Sequence, residues 1–171
     1  MLASQPEHLT YVSTDRLAQV LEYVRPSERC VLDARLTQTA ILARVKFRSP
    51  RYTRRPVSYL TSSVLAVSLA QVTHVLLDNL VRSPKFPYQG LLSAEDLGKA
   101  RRNHEIYFLE LSMRFAKRHP DSDYSVWVQM NRMLKLKEFL FATFTFSVRD
   151  YVTGAFKGSV PLPPWNHLDH L

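Results

Sequence analysis

A chain of 171 residues, 46% apolar and 22% charged, has the size and makeup of one ordinary globular domain, which excludes a disordered or fibrous protein. Its four glycines form neither a Walker pattern nor G-x-G-x-x-G, and its one cysteine, Cys30, excludes an internal disulfide and a cysteine-built zinc site. The net charge of +8 calls for an anionic partner.

Residues 1–12 read as a weakly anchored arm, and "MLASQPEHLT" carries neither a basic n-region nor an apolar core. No signal peptide is expected there, and with a single cysteine the expected location is the cytoplasm. Ser13 or Thr14 can cap a short helix, "DRLAQVLEYV", which puts Leu17, Val20, Leu21 and Val24 on one face and stops before Pro26. "RCVLDARLTQTAILARVKF" reads as two strands divided near Thr37 to Thr39. A basic loop, "RSPRYTRRPVSY", follows. With Arg44 and Lys46 it makes the densest cationic cluster, Arg48, Arg51, Arg54 and Arg55 included. Two readings of that cluster stand: a surface for an anionic ligand, and a solvated face. No helix-turn-helix, RNA-binding aromatic signature or Cys/His pairing accompanies it, so nucleic acid is not an expected partner.

From Ser58 to Leu77 no residue carries a formal charge, a length sufficient to span a bilayer. Thr61, Ser62, Ser63, Ser68, Gln71, Thr73 and His74 make it too polar for a lipid-facing helix, and it runs directly into Asp78 and Asn79. Thr61, Ser68, Gln71 and Asp78 share one stripe by helical spacing, while apolar residues point nearly everywhere else. This predicts a central helix enclosed by protein and no membrane span.

A long connection with a short helix capped at Ser93 comes next. "IYFLELSMRFAKR" reads as a strand with Tyr107, Leu109, Leu111, Met113 and Phe115 on one side, and "DSD" as a turn. "YSVWVQMNRMLKLKEFLFATFTFSVRD" should break near Lys135 to Glu138, and "VTGAFKGSVPL" has glycines suited to a bulge or close approach. The closing "PLPPWNHLDHL" is Pro-rich, and residues 164–171 read as a tail. The order is two strands, one helix apolar almost all round, then four strands. It predicts a single α+β domain over residues 1–171, a curved antiparallel sheet wrapped around a long central helix: the hot-dog architecture. A lone unit of that kind leaves a sheet edge and part of the helix uncovered, so a homodimer or a dimer-based higher oligomer is expected.

With "RLAQVLEYV", "LDARL", Tyr52, "YLTSSVLAVSLAQVTHVLL" and "FSVRDYVTGAFKGSVPL" in this order, residues 16–163 resemble the FcoT-type (type III) fatty acyl-coenzyme A thioesterases. The resemblance implies hydrolysis of fatty acyl thioesters by tyrosine and asparagine side chains near the start and middle of the central helix, with no cofactor and no metal. Tyr52 falls on one such tyrosine, and Tyr23 approximates another. The two asparagine positions hold Thr61 and Ala70 here. Thr61 keeps a hydrogen-bond donor, Ala70 does not, and Gln71 is the nearest amide. The implied catalytic set is Tyr52, Thr61 and Gln71. The implied substrate contacts are Tyr23, Arg51, Arg54, Arg55, Tyr59, Ser62, Ser63, Ser68, Ala70 and His74.

The residues themselves permit this chemistry. The first turn of the central helix offers N–H groups with partial positive charge to a thioester oxygen, although Thr61, Ser62 and Ser63 are equally an ordinary N-cap cluster. Gln71 can orient water or satisfy backbone groups, and Tyr52 can donate a hydrogen bond or simply pack. His74 and Asp78, four residues apart, can pair as acid and base or serve structure alone. His104, His119, His167 and His170 are too scattered for a metal site, no G-x-S-x-G appears, and Cys30 has no activating neighbour. The leading expectation is an acyl-thioester hydrolase acting on a fatty or polyketide-like chain held by coenzyme A or an acyl carrier protein. A hot-dog dehydratase or isomerase is the alternative, disfavoured because no histidine lies between His8 and His74 and no carboxylate precedes Asp78 on the helix. A noncatalytic acyl-carrier or lipid-binding partner is the third reading.

Overall fold

Alternating strands of β-branched and aromatic residues surround one helix whose apolar positions recur at 65, 69, 72 and 76, and the chain folds by burying that helix in a curved sheet. The computed structural model describes residues 9–47, 60–117 and 123–163. Seven antiparallel strands form one sheet: β1 (Thr10–Tyr11), β2 (Val31–Leu36), β3 (Ala40–Lys46), β4 (Tyr107–Phe115), β5 (Asp123–Leu136), β6 (Phe139–Val148) and β7 (Val152–Pro161). Their spatial order is β1-β2-β3-β5-β6-β7-β4. The helices are α1 (Thr14–Val20), α2 (Ser62–Arg82) and α3 (Ala94–Arg102). This is the hot-dog fold, with α2 as its central helix.

Most boundaries follow local chemistry. Ser13 Oγ accepts the Arg16 N–H at 3.2 Å and starts α1. α1 ends at Val20 rather than running to Val24; the chain turns instead and enters a 3-10 turn at Pro26–Glu28, because proline tolerates the start of a helical turn but not a helix interior. Ser93 and Asp96 form a reciprocal capping box that starts α3. The expected break in the long β segment is a two-residue turn between Leu136 and Phe139, with Lys137 at φ 53°.

The expected arm is anchored further back than its sequence suggested. Thr10 pairs opposite Leu36 and Val12 is buried, so the chain is held from β1 onward. The expected face of β4 is also corrected. A register shift between Phe108 and Glu110 breaks the alternation, so that Phe108, Leu111 and Met113 pack against the core while Tyr107 and Leu109 are exposed; Phe115, the last residue of the strand, is exposed too. The neighbouring close approach is real: a Cβ on Gly154 would lie 2.2 Å from the Ser112 carbonyl oxygen of the paired strand β4.

α2 packs on β2, β3, β4 and β5, with α1 and α3 against its flanks. Leu65, Leu69, Val72 and Leu76 are fully enclosed, and Phe144 stacks on Phe156 at 4.6 Å between ring centres beneath them. The helix is long and apolar enough to cross a membrane, yet fourteen of its residues are buried inside the fold, as a central helix requires. Its N-terminal half keeps one open strip: Ser62, Ser63 and Val67 are exposed, and Ala66 and Ala70 half-buried.

Candidate functional site

From Ser68 onward the polar stripe of α2 is buried, and each member has a partner from a distant part of the chain. Ser68 donates to the Val64 carbonyl oxygen at 2.9 Å and accepts from the Tyr124 hydroxyl at 2.8 Å. Gln71 accepts the Cys30 N–H on Oε1 at 2.9 Å and donates from Nε2 to the Glu28 carbonyl oxygen at 3.0 Å. It thereby satisfies two backbone groups of the irregular 28–30 segment, while the Lys46 N–H of β3 takes the Cys30 carbonyl oxygen at 2.8 Å. His74 Nδ1 shares a hydrogen bond with the Tyr23 hydroxyl, and the rings lie 5.1 Å apart. Asp78 sits at the C-terminal end among three guanidinium groups, those of Arg16, Arg82 and Arg101.

Burial governs the protonation of this stripe. It holds His74 neutral, its pKa pushed down to about 3, with the positive charge of Arg101 acting in the same direction. Burial also raises the Tyr23 and Tyr124 hydroxyls well above their ordinary range, Arg101 opposing at Tyr23 and Ser68 at Tyr124. The Cys30 thiol is pushed up to about 11 for the same reason, against a hydrogen bond with Ser68. His74 and Asp78, four residues apart, take different partners: one a tyrosine, the other arginines. They form no acid–base pair.

The N-terminal end of α2 is different in kind. Thr61 caps it, its Oγ1 accepting the Val64 N–H at 3.3 Å and lying 3.1 Å from Ser63 Oγ. The first-turn amide of Ser62 stands outside the intrahelical ladder, at the positive end of a helix with no acidic residue in its first turn. The open strip through Val67 and Ala70 leads away from that amide.

The predicted residues therefore separate. Thr61, Ser62, Ser63 and Ala70 share the open face, Ser62 and Ser63 exposed and Thr61 and Ala70 half-buried. Ser68, Gln71, His74 and the half-buried Tyr23 belong to the internal network. Gln71, expected to orient water, is 4% exposed and bound to backbone, because the side of α2 that carries it faces the 28–30 segment. Tyr52, Arg51, Arg54, Arg55 and Tyr59 lie outside the described residues. Of the basic cluster, Arg44 belongs to β3 and forms a two-pronged ion pair with Asp123 at 3.0 and 2.6 Å. Sequence reasoning missed Tyr124, Arg16 and Arg101 altogether. Their partners on α2 lie 56, 62 and 23 residues away, and no local pattern signals such contacts.

Between α2, α3 and the sheet is an apolar cavity of about 20 Å³, bordered by Thr73, Leu77, Phe86, Phe108, Phe144 and Phe156. That is room for about one water. Among the described residues no cluster of His, Cys, Asp and Glu could hold a metal ion.

No family model matches the chain, and no curated protein is similar to it. Solved structures are. The dehydratase domain from the CurJ module of curacin polyketide synthase aligns with a TM-score of 0.55 at 13% identity, over 89% of this chain and 50% of that one. The dehydratase domain of RzxB from Pseudomonas fluorescens gives 0.54 at 12%, over 95% and 52%. A thioesterase from Haemophilus influenzae gives 0.54 at 9%, over 98% and 100%. The chain thus spans about half the length of the two dehydratase domains and the full length of the thioesterase. At such identities the likeness is one of fold.

Proposed function

We propose that the protein hydrolyses acyl thioesters, its substrate a fatty or polyketide-like chain carried by coenzyme A or an acyl carrier protein. The observation that carries this reading is the first turn of α2, an exposed helix N-terminus with small hydroxyl side chains and no acidic residue of its own. The full-length likeness to a thioesterase supports it. The thioester oxygen would accept a hydrogen bond from the Ser62 amide, with Thr61 and Tyr52 as side-chain donors. Charge developing on that oxygen as water attacks is stabilised by the helix dipole. The C–O bond forms, the C–S bond breaks, and a proton of the attacking water goes to the departing thiolate, a better leaving group than an alkoxide. The internal cavity holds about one water, so the acyl chain would lie on the outer strip of α2, at Val67 and Ala70, against a second subunit. The basic segment around Arg51, Arg54 and Arg55 would meet the phosphates of the carrier.

The dehydratase likeness favours a second reading, elimination of water from a hydroxyacyl thioester. That reaction needs an exposed acid–base pair. The histidine and carboxylate of α2 are both buried and held by other partners, an arrangement that supports the hydrolytic reading over elimination.

The test is proline at the first helical position. Ser62→Pro deletes one amide donor where proline fits a helix, and Thr61 already has the extended backbone that precedes proline comfortably. Thiol release from acyl-coenzyme A and acyl-carrier substrates should fall about 100-fold with the fold retained. Tyr52→Phe should slow it by a comparable factor. Equal turnover in wild type and Ser62→Pro would remove the helix N-terminus from the mechanism.

A further inference from the structure

The far end of α2 carries a second feature, about 25 Å along the helix from Thr61. There α1, α2 and α3 enclose a cleft of about 310 Å³, lined among others by Arg16, Asp78, Arg82, Arg101 and Arg102. By volume it has room for about ten waters. The Asp78 side chain, 3% exposed, meets Arg16, Arg82 Nε at 3.2 Å and Arg101 Nη2 at 3.4 Å. The remaining charges of the cleft cancel in pairs: Arg102 with Glu22 at 2.8 Å, and Glu95 with Lys99 at 3.1 Å. Among the described residues three guanidinium groups therefore share one carboxylate, leaving two positive charges uncompensated.

Such an arrangement is costly to maintain for stability alone. Like charges brought together out of water repel, and one buried carboxylate cannot satisfy three five-donor forks. Arg101 makes the imbalance acute. It is 8% exposed, and its Nη1 has no hydrogen-bond partner among the described residues. Desolvation accordingly lowers its pKa, although Asp78 opposes the shift. Arg16 and Arg82 keep 26% and 49% of their side chains exposed at the mouth, where an incoming ligand reaches them.

We propose that this cleft is a binding site for a phosphate-class oxyanion. Two uncompensated positive charges match a dianion, and planar guanidinium forks suit its oxygens. Asp78 holds the arginines in place for the ligand, as a positioning residue. The anion can be free phosphate or the phosphate of a larger molecule, and the two sources are separable by experiment. The site is independent of thioester chemistry and can be tested without turnover.

Titration calorimetry on the full chain at low ionic strength, with inorganic phosphate in one arm and coenzyme A in the other, provides that test. Saturable phosphate binding is expected, weakened about tenfold for each guanidinium lost in Arg16→Gln and Arg82→Gln. Arg44→Gln, which removes a cation from the sheet, should bind as wild type does. Tighter binding of coenzyme A with the same sensitivity to Arg16 and Arg82 assigns the site to a phosphorylated ligand; binding of phosphate alone with that sensitivity assigns it to the free anion. If the arginine variants fail to fold, phosphate should still raise the melting temperature of the wild type more than chloride at equal ionic strength. The absence of saturable binding, an equal loss in Arg44→Gln, or equal effects of phosphate and chloride on melting would overturn the proposal.

Discussion

Gln71 illustrates how a polar residue on a buried helix acquires its role from what faces it. Both ends of its amide bind backbone of the 28–30 segment, so Gln71→Ala strands the buried Cys30 N–H and leaves the Glu28 carbonyl without that donor. The expected cost is about 1–3 kcal/mol of stability, measured by denaturant unfolding. Turnover per folded molecule should change little; a large loss of turnover at unchanged stability would return Gln71 to the chemistry. His74 acts on stability through pH. Its folded pKa, about 3, lies below the ordinary value of 6.5, so the unfolded chain binds the proton more readily. The contribution of neutral His74 is fully present above pH 6.5 and is lost as pH falls from there toward 3. Melting temperature should drop across that window, and the drop should be shallower in His74→Asn. Parallel profiles for the two proteins would show that other groups dominate acid unfolding.

Among the elements, the β4–β7 pairing is the most exacting. Gly154 faces the Ser112 carbonyl at a distance that no Cβ tolerates, and the Phe146 ring presses on the same point at 2.6 Å. Gly154→Ala must push two paired strands apart or displace an aromatic ring beside Phe156, and overpacking of this kind costs about 1–3 kcal/mol or more. Gly158→Ala, whose nearest contact is 3.3 Å from the Tyr107 carbonyl oxygen, should cost visibly less. Comparing the two variants by thermal melting checks the claim, and equal losses would show that the strands yield easily. The glycines in "VTGAFKGSVPL" signalled a close approach, and at Gly154 that is what the strand contains. The face of β4 was not legible in the same way. A one-residue shift in register moves every following side chain across the sheet, and nothing in "IYFLELSMRF" marks where the shift falls.

At the scale of the molecule, the described surface keeps apolar residues open on two sides. Val67 is 56% exposed on α2, and Leu109 is 53% exposed on β4, a nine-residue strand at one end of the sheet order. A long edge strand and an open helix strip are both surfaces that proteins cover. Light scattering is therefore expected to give at least twice the chain mass of 19.8 kDa at micromolar concentration. Val67→Glu should shift the population toward monomer, with acyl-thioester turnover falling alongside if the acyl chain lies at that contact. A monomeric wild type would remove the second subunit from the proposed site.

What the sequence determined by itself was periodic or local. The uncharged, all-round apolar stretch required a buried helix, Ser13, Thr61 and Ser93 marked helix starts, and the β-branched runs with their turns set nearly every strand. Together these specified a sheet around a helix. Only the tertiary structure decided the meaning of the polar stripe. Ser68, Gln71 and Asp78 share one side of a helix by spacing, but spacing is blind to what packs there: Tyr124, the Cys30 backbone, Arg16 and Arg101, all brought in from outside the helix. Burial in the fold holds His74 neutral, and the packing of α1 and α3 on α2 brings excess positive charge to Asp78. Such effects depend on distances through space, and no one-dimensional pattern encodes them.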